Sequence, residues 1–250
     1  MNPPLLAVSG ISVAYKRGLS SKYSVQAVRG VSFSAWRGRT LGLIGESGSG
    51  KSSALNAVAG LVKPIAGEII FDGKPVGKRR PGMSMIFQSG AIDPKMRIAD
   101  VVAEPLRNHK RMPAKDERAA VIKLLEMVGL PSAFMERLPW ELSGGQLQRA
   151  GIARALALRP SLLLADEPVT ALDPDAKEQI LDLLARLIKE FRMACVFVTH
   201  DLEAARYLCD AFCIMQNGEI VERGGVYRIF NEPQQAYTKL LLESGAVCAG

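Results

Sequence analysis

GESGSGKS at residues 45–52 places a lysine and a serine after a glycine-rich turn, in the order G-x-x-x-x-G-K-[ST] that cradles phosphates. Gly45, Gly48 and Gly50 leave backbone N–H groups free to curl around phosphate oxygens, with Glu46, Ser47 and Ser49 between them. Lys51 is placed to reach a β- and γ-phosphate, and Ser52 to bind Mg²⁺; Ser53 belongs to the same first helical turn. An apolar strand-like stretch (TLGLI, 40–44) precedes the loop and a helical run (SALNAVAGL, 53–61) follows it. A chance glycine turn has no reason to sit between those two elements, and the helix start adds partial positive charge.

LLLADEP at 162–168 ends an apolar run in two acids. Buried strands do not end in Asp-Glu unless the charges are exposed or used. Asp166 suits a Mg²⁺ contact through water. Glu167 points elsewhere and suits removal of a proton from an attacking water. Two more polar residues end apolar strands: Gln88 after MSMIF and His200 after ACVFVT. In an open parallel sheet ligands bind at the carboxyl ends of strands. Ser52, Gln88, Asp166, Glu167 and His200 are therefore expected to converge there.

LSGGQ at 142–146 is a second polar glycine pair, but PWE precedes it rather than a strand. It is not a second phosphate loop. Ser143 is a good N-cap, Gly144 and Gly145 expose N–H groups, and Gln146 opens a helix with its positive end forward. The motif reads as an anion-binding face for the phosphate of a nucleotide held by another copy. Two chains facing head to tail would bury two nucleotides between them.

The elements that must carry these residues follow from patterning. Residues 5–15 and 25–36 alternate apolar and polar, as strands do, with a polar loop between them. Residues 67–76 read as a strand and turn, and 83–87, 161–165, 194–200 and 211–215 as further strands. Residues 90–158 read as a helical subdomain; within it Val121, Leu124, Leu125 and Val128 share one face and Gly129 is a stop. A helix over 174–191 has Ile180, Leu184, Leu187 and Phe191 in register, and another spans 201–208. Strands alternating with helices give a parallel sheet with crossovers. Residues 216–250 read as a short C-terminal tail to a single domain over 1–250.

The bulk properties set limits. A chain of 250 residues can bury a large core. Its net charge of +7 comes with modest basic clusters, GKRR at 77–80 and RNHKR at 107–111, which read as solvated surface rather than a nucleic-acid footprint. No apolar run reaches the ~18 residues of a membrane helix, and MNPPLLAVSG lacks the shape of a signal peptide. A cytosolic chain with any membrane role exercised through partners is the expectation. The four cysteines, Cys195, Cys209, Cys213 and Cys248, are expected to be reduced in a cytosolic chain, and Cys209 and Cys213, four apart in an apolar segment with no histidine nearby, read as packing residues.

With these motifs in order along the chain, together with ALDP at 171–174, the sequence resembles the ATP-binding subunits of ABC transporters over almost its whole length. The resemblance implies an α/β fold: a P-loop NTPase parallel-sheet core with an N-terminal antiparallel β subdomain and an inserted α-helical subdomain. It implies ATP and Mg²⁺ as cofactors, and an ATP-sandwich dimer in which Ser143, Gly144, Gly145 and Gln146 close over the partner's γ-phosphate. It implies Glu167 as catalytic base, His200 as γ-phosphate contact, Gln88 as Mg²⁺ sensor near the membrane subunit, Asp173 as a bridge to the opposite subunit, and Tyr15 as the aromatic that stacks on adenine.

FQSGAIDPKMRIADVVAEPL (87–106) and NEPQQAYTKLLLES (231–244) resemble segments of importers for dipeptides, oligopeptides and nickel. The segment after Gln88 is shorter than usual for them, Gln235-Ala236 replaces their common His-Pro, and a cysteine-rich extension is missing. The partners implied are transmembrane permease subunits, a second ATPase chain and, indirectly, an extracytoplasmic solute-binding protein, with the subunit peripheral on the cytoplasmic face of the cell (inner) membrane. A soluble ATPase of the same family acting on nucleic acid or ribosomes is the competing expectation. It is disfavoured because no long coiled-coil insertion is present and only one phosphate loop and one signature occur. A nucleotide kinase leaves LSGGQ without a use.

Overall fold

The computed structural model describes residues 3–16, 24–77, 82–88, 92–109 and 113–247. The two alternating N-terminal stretches form β1 (Leu6–Lys16) and β2 (Ser24–Ala35), paired antiparallel. The fully apolar TLGLI is β3 (Thr40–Ile44), and α1 (Lys51–Ala59) starts at the lysine of the glycine-rich loop. The strand-and-turn stretch is the hairpin β4 (Ala66–Phe71) and β5 (Lys74–Pro75). Then come β6 (Met83–Ile86), α2 (Ile98–Asn108), α3 (Ala114–Met127), two short 3-10 turns and α4 (Gly144–Leu156). The chain returns through β7 (Leu162–Asp166), α5 (Pro174–Glu190), β8 (Ala194–Thr199), α6 (Leu202–Leu208) and β9 (Ala211–Gln216). It ends with β10 (Glu219–Gly225), α7 (Val226–Asn231) and α8 (Ala236–Val247).

Two sheets result. The antiparallel one has order β2-β1-β4-β5, and the core sheet has order β10-β9-β3-β8-β7-β6. From β9 to β6 every neighbouring pair is parallel, and β10 adds to the edge antiparallel. Central strands of such a sheet are covered on both faces and must be apolar throughout. Along β7, Leu162 and Leu164 face the core that holds α1 and the antiparallel sheet, whereas Leu163 and Ala165 face the core of α2–α6. In β8, Cys195 and Phe197 take the helical side and Val196 and Val198 the other. The fold is α/β with a parallel-sheet core, an N-terminal antiparallel β region and a helical region between β6 and β7.

The helical region is tied to the core through the end of α3. Its last carbonyls accept from two arginines: Arg149 of α4 donates to Val128 O at 2.7 Å, and Arg186 of α5 to Met127 O at 2.8 Å. Cations at a helix C-terminus satisfy orphan carbonyls and oppose the negative dipole end.

Two details differ from the patterning. Phe191, expected in the apolar register of α5, is 43% exposed and caps the helix end, because the buried stripe closes with Leu187 and Ile188. The stretch from 216, expected as a tail, contains β10 in the core sheet and two helices, with Ile229 and Leu241 buried in the core. Its patterning is weak because an edge strand needs only one covered face. The polar loop between β1 and β2 (17–23), residues 78–80 and 110–111 of the basic clusters, residues 89–91 after Gln88, and Cys248 lie outside the described residues. Cys195, Cys209 and Cys213 are buried, and burial pushes the thiols up, to about 12 for Cys195 and about 11 for Cys213. Such thiols are inert packing groups. Among the described residues no helix is long and apolar enough to cross a membrane.

Candidate functional site

The phosphate loop leaves β3 at its carboxyl end and turns on three left-handed glycines, Gly45 (φ 157°), Gly48 (φ 81°) and Gly50 (φ 103°). Two of them are also sterically obligatory. A Cβ on Gly45 would lie 2.2 Å from Met215 O, and one on Gly50 2.4 Å from Ala27 O. Lys51 is buried and folds back into its own loop, donating to Gly45 O at 2.7 Å and Glu46 O at 2.8 Å. Its remaining hydrogen makes only a long 3.4 Å contact with Ser49 Oγ, so one donor is available for a phosphate oxygen. Burial lowers the Lys51 ammonium from its ordinary range, opposed by Glu167, Asp166 and Glu46.

The strand order brings the remaining groups to the same edge. Ser52 Oγ donates to Asp166 Oδ1 at 2.9 Å, joining the start of α1 to the tip of β7. Gln88 Nε2 donates to Glu167 Oε2 at 3.0 Å, and His200 Nδ1 lies 3.3 Å from Glu167 Oε1. Thr170 also donates to Glu167 Oε2, at 3.1 Å. The convergence expected of Ser52, Gln88, Asp166, Glu167 and His200 is therefore present. Burial raises the Asp166 carboxyl, while the Ser52 hydrogen bond pulls it back. Glu167 adopts φ 46°, a left-handed backbone held by its N–H on Val198 O at 2.9 Å. Strain of this kind collects at functional sites, and it turns the Glu167 carboxylate away from Asp166 toward Gln88 and His200.

The hydroxyl of Ser52 and the carboxylate of Asp166, 2.9 Å apart, are hard oxygens of the kind that fit a magnesium ion. The glycine cradle and Lys51 fit a polyphosphate. Gly48, Gly50, Lys51, Ser52 and Gln88 line a cavity of about 1060 Å³ that also takes in Tyr15, Glu167 and His200, with Asp166 behind Ser52. Tyr15 is 40% exposed and donates to Ser53 Oγ at 3.2 Å. A hollow of similar size, about 1080 Å³, lies at the amino ends of β3 and β9. Its Arg37 is paired with Asp72 and its Arg39 with Asp210, and it holds none of the expected residues.

The signature residues stand apart from this cavity. Ser143 Oγ accepts from Gln146 N at 3.3 Å, and Gln146 Oε1 accepts from Ser143 N at 3.0 Å, a reciprocal capping box at the start of α4. Ser143 and Gly144 are exposed, so the N-terminus of α4 faces outward. Gly145 packs tightly, since a Cβ there would lie 3.1 Å from Ala176 Cβ. Asp173 caps α5, accepting from Ala176 N at 2.8 Å, and is exposed.

Other residues reach the site without a motif. Lys177, on the first turn of α5, forms an ion pair with Asp201, the N-cap of α6, and both line the cavity. Leu241 and Ser244 of α8 line it too, and Tyr237 Oη accepts from Glu46 N at 3.1 Å. A lone Tyr, Leu or Ser in an amphipathic tail carries no spacing signal for this. Only the KLLLES run hints that the tail packs on something.

Comparison with known proteins agrees with this geometry. Residues 28–170 match a family model described as ABC transporter. The chain is 41% identical over 231 residues to the oligopeptide transport ATP-binding protein OppF of Lactococcus lactis subsp. lactis (strain IL1403), covering 88% of this chain and 72% of that protein. It is 42% identical to the glutathione import ATP-binding protein GsiA of Escherichia coli (strain K12), covering 96% of this chain but 41% of that one. Among solved structures, the dimeric post-hydrolysis state of the ATP-binding cassette MJ0796 bound to ADP and Pi superposes with a TM-score of 0.79. It is 31% identical and covers 88% of this chain and 98% of the other.

Proposed function

The chain belongs to the ABC transporter family, and we propose that within it this ATPase subunit powers an importer of peptides from the cytoplasmic face of the membrane. The observation that carries the reading is the Gln88–Glu167–His200 cluster beside the phosphate loop, with the α4 N-terminus facing outward on the same chain. One chain thus holds a complete set of catalytic groups and a complete signature.

In this reading the loop from Gly45 to Ser53 binds the triphosphate and Tyr15 contacts the adenine. Glu167 accepts the proton of the attacking water, and His200 and Lys51 contact the γ-phosphate. Thr170 and Gln88 hold Glu167 in place through their hydrogen bonds. Ser52, Asp166 and Gln88 would hold a magnesium ion, which supplies charge neutralisation on the phosphate oxygens. Ser143, Gly144, Gly145 and Gln146 act on the nucleotide of a second ATPase subunit, and Asp173 bridges to it. The dimeric MJ0796 cassette supports this arrangement.

The permease side is assigned to the cleft between β6, α2 and α4, lined by Met85, Phe87, Gln148 and Gly151. Gln148 Nε2 is buried there with no hydrogen-bond partner among the described residues, a donor suited to an incoming backbone carbonyl. A peptide cargo, rather than nickel, follows the oligopeptide and glutathione relatives. An extracytoplasmic binding protein would then choose the peptide. Of the basic cluster at 107–111, Arg107 is paired with Asp100 and Glu117 rather than held open for a nucleic-acid phosphate. Purification of the native complex in mild detergent, with mass spectrometry of its subunits, tests the reading. Two permeases, a second ATPase and a peptide-loaded binding protein support it; ribosomes, DNA-repair subunits or a nickel-chelate binding protein would overturn all or part of it.

A further inference from the structure

The phosphate loop has no ladder of its own, so its amides point at phosphate only if something outside fixes them. Two of the outside supports come from the C-terminal stretch. Gly218 N, in the turn between β9 and β10, donates to Ser49 O at 2.9 Å. Tyr237 Oη of α8 accepts from Glu46 N at 3.1 Å, across 191 positions of sequence. Helix α8 is itself firmly anchored. Glu222 of β10 is buried and accepts from Gln234 N at 2.9 Å and Gln235 N at 3.1 Å, at the entry to the helix. Leu241 is buried in the main core. The Tyr237 hydroxyl is thus fixed relative to the sheet, and Leu241 and Ser244 continue the same helix along the nucleotide cavity.

Resting on the nucleotide site assigned above, we infer that α8 is a working wall of that site and that Tyr237 is a positioning residue for the phosphate loop. Tyr237 acts through the Glu46 amide, which sets the entry of the loop from which Lys51 and the glycine amides project. The phenol makes this contact from outside the loop, so removing its hydroxyl alters the loop without removing any group that touches phosphate. Loss of one such hydrogen bond corresponds to about a 3–10-fold weaker ATP affinity.

The test compares the full-length wild type with Tyr237→Phe and Ser244→Trp, using ATP titration by fluorescent-nucleotide displacement, hydrogen exchange of the 45–53 segment, and thermal unfolding without nucleotide. The expected result for Tyr237→Phe is a 3–10-fold higher dissociation constant and faster exchange of the loop, with an unchanged melting temperature. Steady-state turnover should show the loss in KM, not in kcat. Ser244→Trp, which fills the wall, should also weaken ATP. An unchanged affinity and exchange rate in Tyr237→Phe, or no effect of Ser244→Trp, overturns the inference while leaving the ATPase reading intact. A wild type that binds no ATP would sink both.

Discussion

Glu167 is where one residue carries the most chemistry. Its carboxylate is held by Gln88 and Thr170 and faces His200, in a left-handed backbone that no β-strand continuation would give. Glu167→Gln keeps the shape and one acceptor oxygen but removes the base. Phosphate release should fall by about 10²–10⁴-fold while ATP binding persists; a variant that still turns over normally would refute the role. The loop glycines allow a paired comparison. Gly50→Ala drives a Cβ to 2.4 Å from the Ala27 carbonyl, whereas Gly48→Ala meets no atom of the described residues within 4 Å. Gly48→Ala should cost only the left-handed conformation, about 1–2 kcal/mol. Gly50→Ala should lower ATP affinity at least about tenfold, since a single 1.4 kcal/mol is a factor of ten and backbone on backbone cannot yield cheaply. Isothermal titration with ATP separates the two.

At the scale of elements, the entry to α8 depends on one buried acid. Burial alone would raise the Glu222 carboxyl, but hydrogen bonds at the entry to α8, those from the N–H groups of Gln234 and Gln235 among them, hold it below its ordinary 4.5. A carboxyl lowered in the folded state adds stability that is fully present above its unfolded range and fades as pH falls through the folded value. Glu222→Gln should therefore be destabilised near neutrality by about 1–3 kcal/mol. The gap to the wild type should shrink as pH drops below about 4.5, as read from urea midpoints across pH. A gap that is constant down to pH 3 would mean the carboxylate charge contributes nothing. Arg149 and Arg186 work at the same scale, linking the helical region to α5, whose first residue follows Asp173: Arg186 of α5 holds Met127 O, and Arg149 of α4 reaches Gln179 of α5 at 3.1 Å.

For the whole molecule, the phosphate cavity and the α4 N-terminus of one chain do not meet. Ser143 is exposed and, among the described residues, is hydrogen-bonded only within its own capping box. Replacing Ser143 by Ala in this chain alone, inside an assembled pair of ATPases, should silence hydrolysis at the partner's nucleotide and spare this chain's own. Loss of the cap also costs the helix about 0.5–2 kcal/mol, but a stability loss would not choose between sites. Trapping labelled nucleotide and locating it by crosslinking distinguishes the two; silence at this chain's own site would invert the proposed arrangement.

The motifs were legible in the sequence because their chemistry is local. Phosphate needs consecutive backbone N–H groups with a lysine one turn on, and an apolar strand ending in polar residues reports a used sheet edge wherever it occurs. Gln88, Asp166, Glu167 and His200 could thus be named from their positions at strand ends, and the parallel core from its alternation of strands and helices. The tertiary structure alone decided how these ends pair: that Ser52 takes Asp166 while Gln88 and His200 take Glu167. It also turned a stretch expected as a tail into an edge strand and a helix against the phosphate loop. Tyr237 and Glu46 lie 191 residues apart, and a contact of that separation leaves no period or spacing behind. It exists because β10 and α8 fold back over the sheet edge that the loop leaves.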